Sequence, residues 1–519
     1  MSFSSIEFLI FFPVVAAVFF IISHAWRWAW LLITSIFFFG YLYYTTYDPV
    51  RIPYYIFIVL AVVSVVSIDY ILGIAIESRR QNEKAVSKIL LVTGIIYPLV
   101  LLLIFKYLNF LDSVVADCAS LLNLQYPKHI LQFMAPIGIS YYTFQSISYL
   151  IEVYRGTIRA ERHFGILTLY FIFFPKLIIG PIERPQNLIP QFYHEQKFEY
   201  QRIVNGLKLM AWGFFKKLVI ADRLAIVVNE IFNNPNDYWG VYFIIAACFF
   251  SIQIYCDFAG YTDIAIGAGE VFGFRLMENF KRPFLAPSIA DLWRRWHISL
   301  VSWFRDYVYI PLGGNRVTKL RWQYNMFLTF ILSGIWHGAN WTFLIWAALN
   351  GFYVLLSDWT GAFRKKIRAL LHFEKFPRVH LWMGRLITFI LFSFAAIFFR
   401  ANTTSDALYI VRHLFTKVGA TVLAAFRLDF SRVKSLLIVP TKNTIFGFSK
   451  PAFTSEMILI VSGLAVLLML EAIQEKTRLR SLISGKPWYL RWSLYVLLLY
   501  SILFLGVFAN QQFLYFKFR

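Results

Sequence analysis

Long, almost uncharged apolar runs decide what this chain can fold into. Stretches such as 53–76 and 89–104 suit helices crossing about 30 Å of hydrocarbon, and 59% of the 519 residues are hydrophobic against 15% charged. A closed β-barrel would show short alternating segments, whereas these runs are continuous, and a helix satisfies its own backbone polar groups in lipid. The expected fold is an all-α polytopic membrane protein; a large soluble protein with buried helices would not carry so many such runs.

The apolar stretch 7–22 has no Lys or Arg before it and no small-residue cleavage pattern after Ser23, which reads as a retained span rather than a signal peptide. Basic residues then set the orientation. The N-terminus falls outside the cytoplasm and Arg27 inside, and spans at 30–44, 53–76 and 89–108 alternate. Loop 77–88, with Arg79, Arg80, Lys84 and Lys88, lies inside, and the poorly charged 112–129 outside. A span over 133–153 returns the chain to the basic stretch 154–162. Residues 164–180 are interrupted by Pro175 and Lys176 and followed by Pro181, so a re-entrant or half-depth segment is expected there, sheltered by protein or a watery cavity.

The formal charge of +22 comes from 50 Lys and Arg against 28 Asp and Glu. Because the basic residues sit in short loops, membrane orientation and anionic lipid headgroups account for them, and nucleic acid is not an expected partner. Cys118, Cys248 and Cys256 have neither disulfide nor metal spacing. No internal repeat is evident, which weighs against transporters built on inverted repeats. The chain reads as one membrane-embedded domain over 1–519, with N-terminal spans to 130, a core over 131–360 and C-terminal spans over 361–519.

From Tyr255 to Asn340 the apolar runs shorten and polar residues crowd in. Two histidines stand out there, His297 in Trp-Arg-Arg-Trp-His-Ile-Ser-Leu (293–300) and His337 in Trp-His-Gly-Ala-Asn (336–340). Ionisable groups at membrane depth are costly and mark functional sites by default. A continuous helix would put Trp293 and Arg294 on the face of His297, and the cation would keep the imidazole neutral; the competing reading is an interfacial anchor of Trp and Arg. His337 lies between the apolar runs 327–336 and 341–356, with Gly334 and Gly338 leaving room beside its ring. It faces a cavity on one reading and a hydrogen bond to a neighbouring helix on the other. Asn340 fixes the tautomer or binds a carbonyl oxygen, or else caps a helix. Asp257, Asp263 and Asp306 are expected foremost as ion-pair partners for Arg294, Arg295 or Arg305, since buried charges need partners before anything else. No His-Glu-x-x-His pattern or thiolate pair defines a metal site. A Gly-x-Ser-x-Gly elbow and a phosphate-cradling Gly-rich loop are both absent, which leaves a general base without a protein nucleophile.

Several ordered motifs carry a specific resemblance: Tyr255 to Gly267 (YCDFAGYTDIAIG), Phe274 to Phe280 (FRLMENF), Trp293 to Leu300, Asp306 to Arg316 (DYVYIPLGGNR) and Trp336 to Asn340. Together they resemble the membrane-bound O-acyltransferase family, in particular its bacterial branch that holds the alginate O-acetyltransferase membrane subunit. The likeness extends to 136–144, to 180–184 and to the terminal 512–518. It implies a ring of tilted helices around a thinned centre, pierced by a tunnel, and maps the family's two histidine positions onto His297 and His337.

That resemblance further implies transfer of an acetyl group from a cytoplasmic thioester, acetyl-CoA or another acyl carrier, with no bound cofactor. His337 is the expected general base and His297 an orienting or relaying group. Trp296, Arg295, Asp306, Trp336, Asn340 and Asp257 are the candidate tunnel-lining residues. An SGNH-type periplasmic acetyltransferase is the implied partner and an exported polysaccharide the acceptor, in a bacterial inner membrane. D-alanyl or peptidoglycan acyl transfer by the same core, a secondary transporter and a non-catalytic export scaffold are the alternatives. The basic loop 476–491 is expected in the cytoplasm and the tail 510–519 outside, near the partner.

Overall fold

The computed structural model describes the chain apart from residues 1–2, 4, 47–51, 128–135, 137, 178, 371, 373–374, 428, 430–443, 446–447, 476, 478–482, 484 and 509–519. The expected tail 510–519 therefore lies outside the described residues. Within them the chain is helical, save for a two-stranded hairpin pairing Thr444–Ile445 with Phe448–Ser449. Among the described residues, seven helices are long and apolar enough to cross a membrane, and the bent pair Thr404–His413 and Val418–Phe426 adds an eighth if it crosses as one.

Among the described residues two compact units form, one within 3–213 and 261–278, the other within 214–260 and 279–508. The first begins with α1 (Ile6–Ile21), α2 (His24–Thr46) and α3 (Ile52–Arg79). α4 (Lys84–Leu102) follows after a turn of only four residues and runs through a wide turn at Leu103–Tyr107 into α5 (Leu108–Leu121). The loop expected from 112 therefore starts about ten residues later, because the helix outlasts the apolar run. At about 1.5 Å per residue, the 38 residues from Lys84 to Leu121 exceed the hydrocarbon thickness.

α6 (Ile139–Arg155) is bounded by Gly138 and Gly156, with φ of +81° and +78°. It packs closely on α3 and α4, since a Cβ at Gly73 would meet the Tyr149 hydroxyl at 2.9 Å and one at Gly94 the Leu150 side chain at 2.4 Å. The buried Asp69 takes a hydrogen bond from Ser146 at 2.9 Å across this contact. The stretch expected to break does so, into α7 (Phe164–Ile172) and the single turn α8 (Phe174–Leu177). Two of the sequence motifs then meet: Glu183 accepts from the backbone N–H of Met277 and, at 2.6 Å, from Asn187.

α9 (Pro185–Tyr193), α10 (Tyr200–Phe214), α11 (Asp222–Asn233) and the 32-residue α12 (Val241–Phe272) lead to the short α13 (Ile289–Arg295) and α14 (Ile298–Phe304). α15 (Lys319–His337), α16 (Trp341–Trp359), α17 (Gly361–Leu370) and α18 (Pro377–Arg400) follow, then α19 (Thr404–His413) and α20 (Val418–Phe426). The helices Lys450–Gln474 and Trp488–Leu505 close the described chain, apart from a short extended stretch.

Candidate functional site

His297 and His337, forty residues apart, line one cavity in the second unit. Phe250, Ile254 and Phe258 of α12, Trp346 of α16, and Phe392, Ala396 and Phe399 of α18 form most of its remaining wall, with Trp296. The cavity, about 20 Å³ in volume, has room for about one water-sized group.

The segment carrying His297 differs from the continuous helix its sequence suggests. α13 stops at Arg295, and His297 adopts φ +43° as the residue before α14. This left-handed geometry is uncommon for a residue with a side chain. Trp293 and His297 consequently do not share a helical face, and Arg294 is exposed while His297 is buried. Tertiary hydrogen bonds override local helix propensity here: the backbone carbonyl of Asn279 accepts from Ile298 N–H at 2.9 Å, and Arg295 C=O accepts from Lys281 N–H at the same distance.

The ring of His297 stands edge-on to Phe258, centroids 4.6 Å apart, and 6.1 Å from Trp336. Its Nε2 is buried and has no hydrogen-bond partner among the described residues. Burial among aromatic rings, rather than the expected cation, holds this imidazole neutral. An unmade hydrogen bond at such an atom costs about 1–3 kcal/mol, which leaves Nε2 available to a polar group entering the cavity.

His337 closes α15, with Trp336, Trp346 and Phe399 around its ring at 5.0, 5.1 and 5.3 Å. The neighbouring glycines act differently from the expectation of room beside the imidazole. A Cβ at Gly334 would come within 2.5 Å of the Ala347 side chain, and one at Gly338 within 2.1 Å of the Phe343 ring, so both let α15 and α16 approach closely. Asn340 takes the capping role: its side chain accepts from Thr342 N–H at 3.0 Å at the start of α16.

Among the remaining candidates, Trp296 is part of the cavity wall, packed against Phe392 at 4.9 Å and Phe280 at 5.2 Å. Trp336 is buried between the two imidazoles. Arg295 pairs with Asp291 at 2.8 Å and Asp306 with Arg305 at 2.7 Å, both away from the cavity lining. Asp257 pairs with Lys217 at 2.6 Å instead of an arginine, and Lys217 also holds Asp222 at 2.7 Å, all three buried. Asp263 is a half-buried residue of the first unit.

Sequence reasoning missed the α18 wall and Arg400, the buried residue that ends it. Arg400 donates to Asn229 at 2.9 Å and Asn233 at 3.1 Å and lies over the Phe232 ring. The signal was there in principle, as a charged residue terminating the apolar run 386–399.

Residues 165–401 match the model of the MBOAT, membrane-bound O-acyltransferase family. A probable alginate O-acetylase of Pseudomonas aeruginosa is 35% identical over 80% of this chain and 75% of its own length. A peptidoglycan O-acetyltransferase of Helicobacter pylori is 31% identical over 94% and 91%. A teichoic acid D-alanyltransferase of Bacillus subtilis is 30% identical over 47% and 63%.

Proposed function

This chain belongs to the membrane-bound O-acyltransferase family and is a multi-pass membrane acyltransferase; from that premise we propose that it moves an acetyl group from a cytoplasmic thioester, acetyl-CoA or another acyl carrier, through a transmembrane passage. An SGNH-type acetyltransferase on the periplasmic side of a bacterial inner membrane then places the group on an exported polysaccharide. The observation that carries the reading is the meeting of His297 and His337 on one largely aromatic cavity.

His337 acts as general base. It takes the proton of the incoming hydroxyl as that oxygen attacks the thioester carbonyl; the C–O bond forms, the C–S bond breaks, and the proton passes from the imidazole to the departing thiolate. His297 offers its open Nε2 to orient the acyl carbonyl or the hydroxyl. A thioester is already activated, so the work lies in proton removal, alignment and exclusion of water. Positioned acid–base help is worth about 10²–10⁴-fold.

The test is incubation of the purified protein with radiolabelled acetyl-CoA, with and without the periplasmic partner. Label should reach the acceptor only when both proteins are present, and His337→Ala should lower the rate at least about 100-fold while the protein stays assembled. An assembled His337→Ala protein that acetylates normally removes the assignment. Substrate uptake without acyl transfer would make the chain a transporter.

Peptidoglycan as acceptor is a second reading, favoured by the near full-length match to the Helicobacter pylori relative. D-alanyl transfer has the shorter match in its support. Offering alginate or peptidoglycan as acceptor in the same assay separates the first two, and a radiolabelled D-alanyl thioester in place of acetyl-CoA, with teichoic acid as acceptor, tests the third.

A further inference from the structure

We propose that Asn279 is a positioning residue that holds His297 in its catalytic orientation; the inference rests on the role given to His297 above. Asn279 lies 18 residues before the histidine, in the motif 274–280, and is 1% exposed. It grips the two residues that follow His297. Its backbone carbonyl accepts from Ile298 N–H at 2.9 Å, while its side-chain Oδ1 accepts from Ser299 N–H at 3.2 Å and from the Ser299 hydroxyl at 2.6 Å.

These bonds satisfy the first N–H groups of α14, which a residue at the helix boundary would ordinarily cap. The boundary residue is His297 itself, whose side chain makes no cap bond and is directed among Phe258 and Trp336. Asn279 thus frees the imidazole from capping and holds the φ +43° turn that separates its direction from that of Trp293. The amide also keeps a buried Nδ2 without a hydrogen-bond partner among the described residues. A serine or threonine would fill the acceptor role without that burden; the amide's length reaches across to Ser299.

The full-length protein, purified in lipid nanodiscs, is assayed for acyl transfer as Asn279→Ala, Asn279→Asp, His297→Ala and the double variant Asn279→Ala/His297→Ala, each with its thermal unfolding temperature. Asn279→Ala should lower kcat about tenfold or more with KM for the acyl donor little changed. Asn279→Asp keeps the acceptor oxygens and should recover most of the rate. In the His297→Ala background the Asn279→Ala change should cost little further, because residues acting through one another are not additive.

Additive losses, an Asp variant no better than Ala, or a rate loss that merely follows unfolding would each overturn the proposal. A fully active His297→Ala would instead remove the role of His297, and this proposal with it. A slow His297→Ala beside a fully active Asn279→Ala would overturn the proposal alone.

Discussion

Lys217 between Asp222 and Asp257 shows what single residues can and cannot announce. That Asp257 needs a counter-charge is legible, because a buried carboxylate is costly without one. Its partner is not, since Arg294, Arg295 and Arg305 share the motif region with it, while Lys217 is forty residues upstream in an apolar stretch. The two contacts, 2.6 and 2.7 Å, make the ammonium the link between two buried acids. Lys217→Met would leave both carboxylates facing each other without it. Breaking a buried pair from one side costs about 3–5 kcal/mol, so the variant should show a markedly lower thermal unfolding temperature or fail to accumulate. Asp222→Asn leaves the Lys217–Asp257 pair intact and should be milder. Equal stability of Lys217→Met and wild type would deny the cluster its structural role.

At the scale of elements, α16 was readable from the sequence to within a few residues and α15 only at its C-terminal end, where the Gly338-Ala339-Asn340 interruption marks the turn; α15 begins at Lys319, eight residues before the apolar run 327–336. The break between α13 and α14 was not, because Trp-Arg-Arg-Trp-His contains no Gly or Pro, and hydrogen bonds from residues 279–281 impose the bend from outside. Gly334 of α15 and Gly338 just beyond it face a different neighbour from the imidazole that the sequence suggests, because helix period alone does not say whether a small residue opens space for a ring or for another helix. Their contacts decide it. Gly334→Val would drive side-chain atoms into Ala347 and the Phe343 carbonyl, 2.5 and 2.8 Å from an added Cβ, and force the helices apart. Overpacking of this kind costs about 1–3 kcal/mol. One turn further on, His337 would move with α15, so acyl transfer should fall by more than the loss of folded protein explains. Activity per folded molecule equal to wild type would show that the helix contact and the imidazole position are independent.

For the whole molecule, orientation follows from charge and length together. Arg79, Arg80, Lys84 and Lys88 gather at the α3–α4 turn, and the positive-inside rule puts that turn in the cytoplasm. Helix α4 and its continuation α5 then carry the chain about 50 Å from Lys84 to Cys118 at about 1.5 Å per residue, further than the hydrocarbon core is thick. Cys118 must emerge on the opposite side. It is also the one exposed cysteine, Cys248 being half-buried and Cys256 buried. A membrane-impermeant maleimide added to right-side-out vesicles should therefore label the wild-type protein, and Cys118→Ser should abolish that labelling. Inverted vesicles should label poorly until detergent is added. The reverse pattern would put the α3–α4 turn outside and Cys118 in the cytoplasm, against the charge argument.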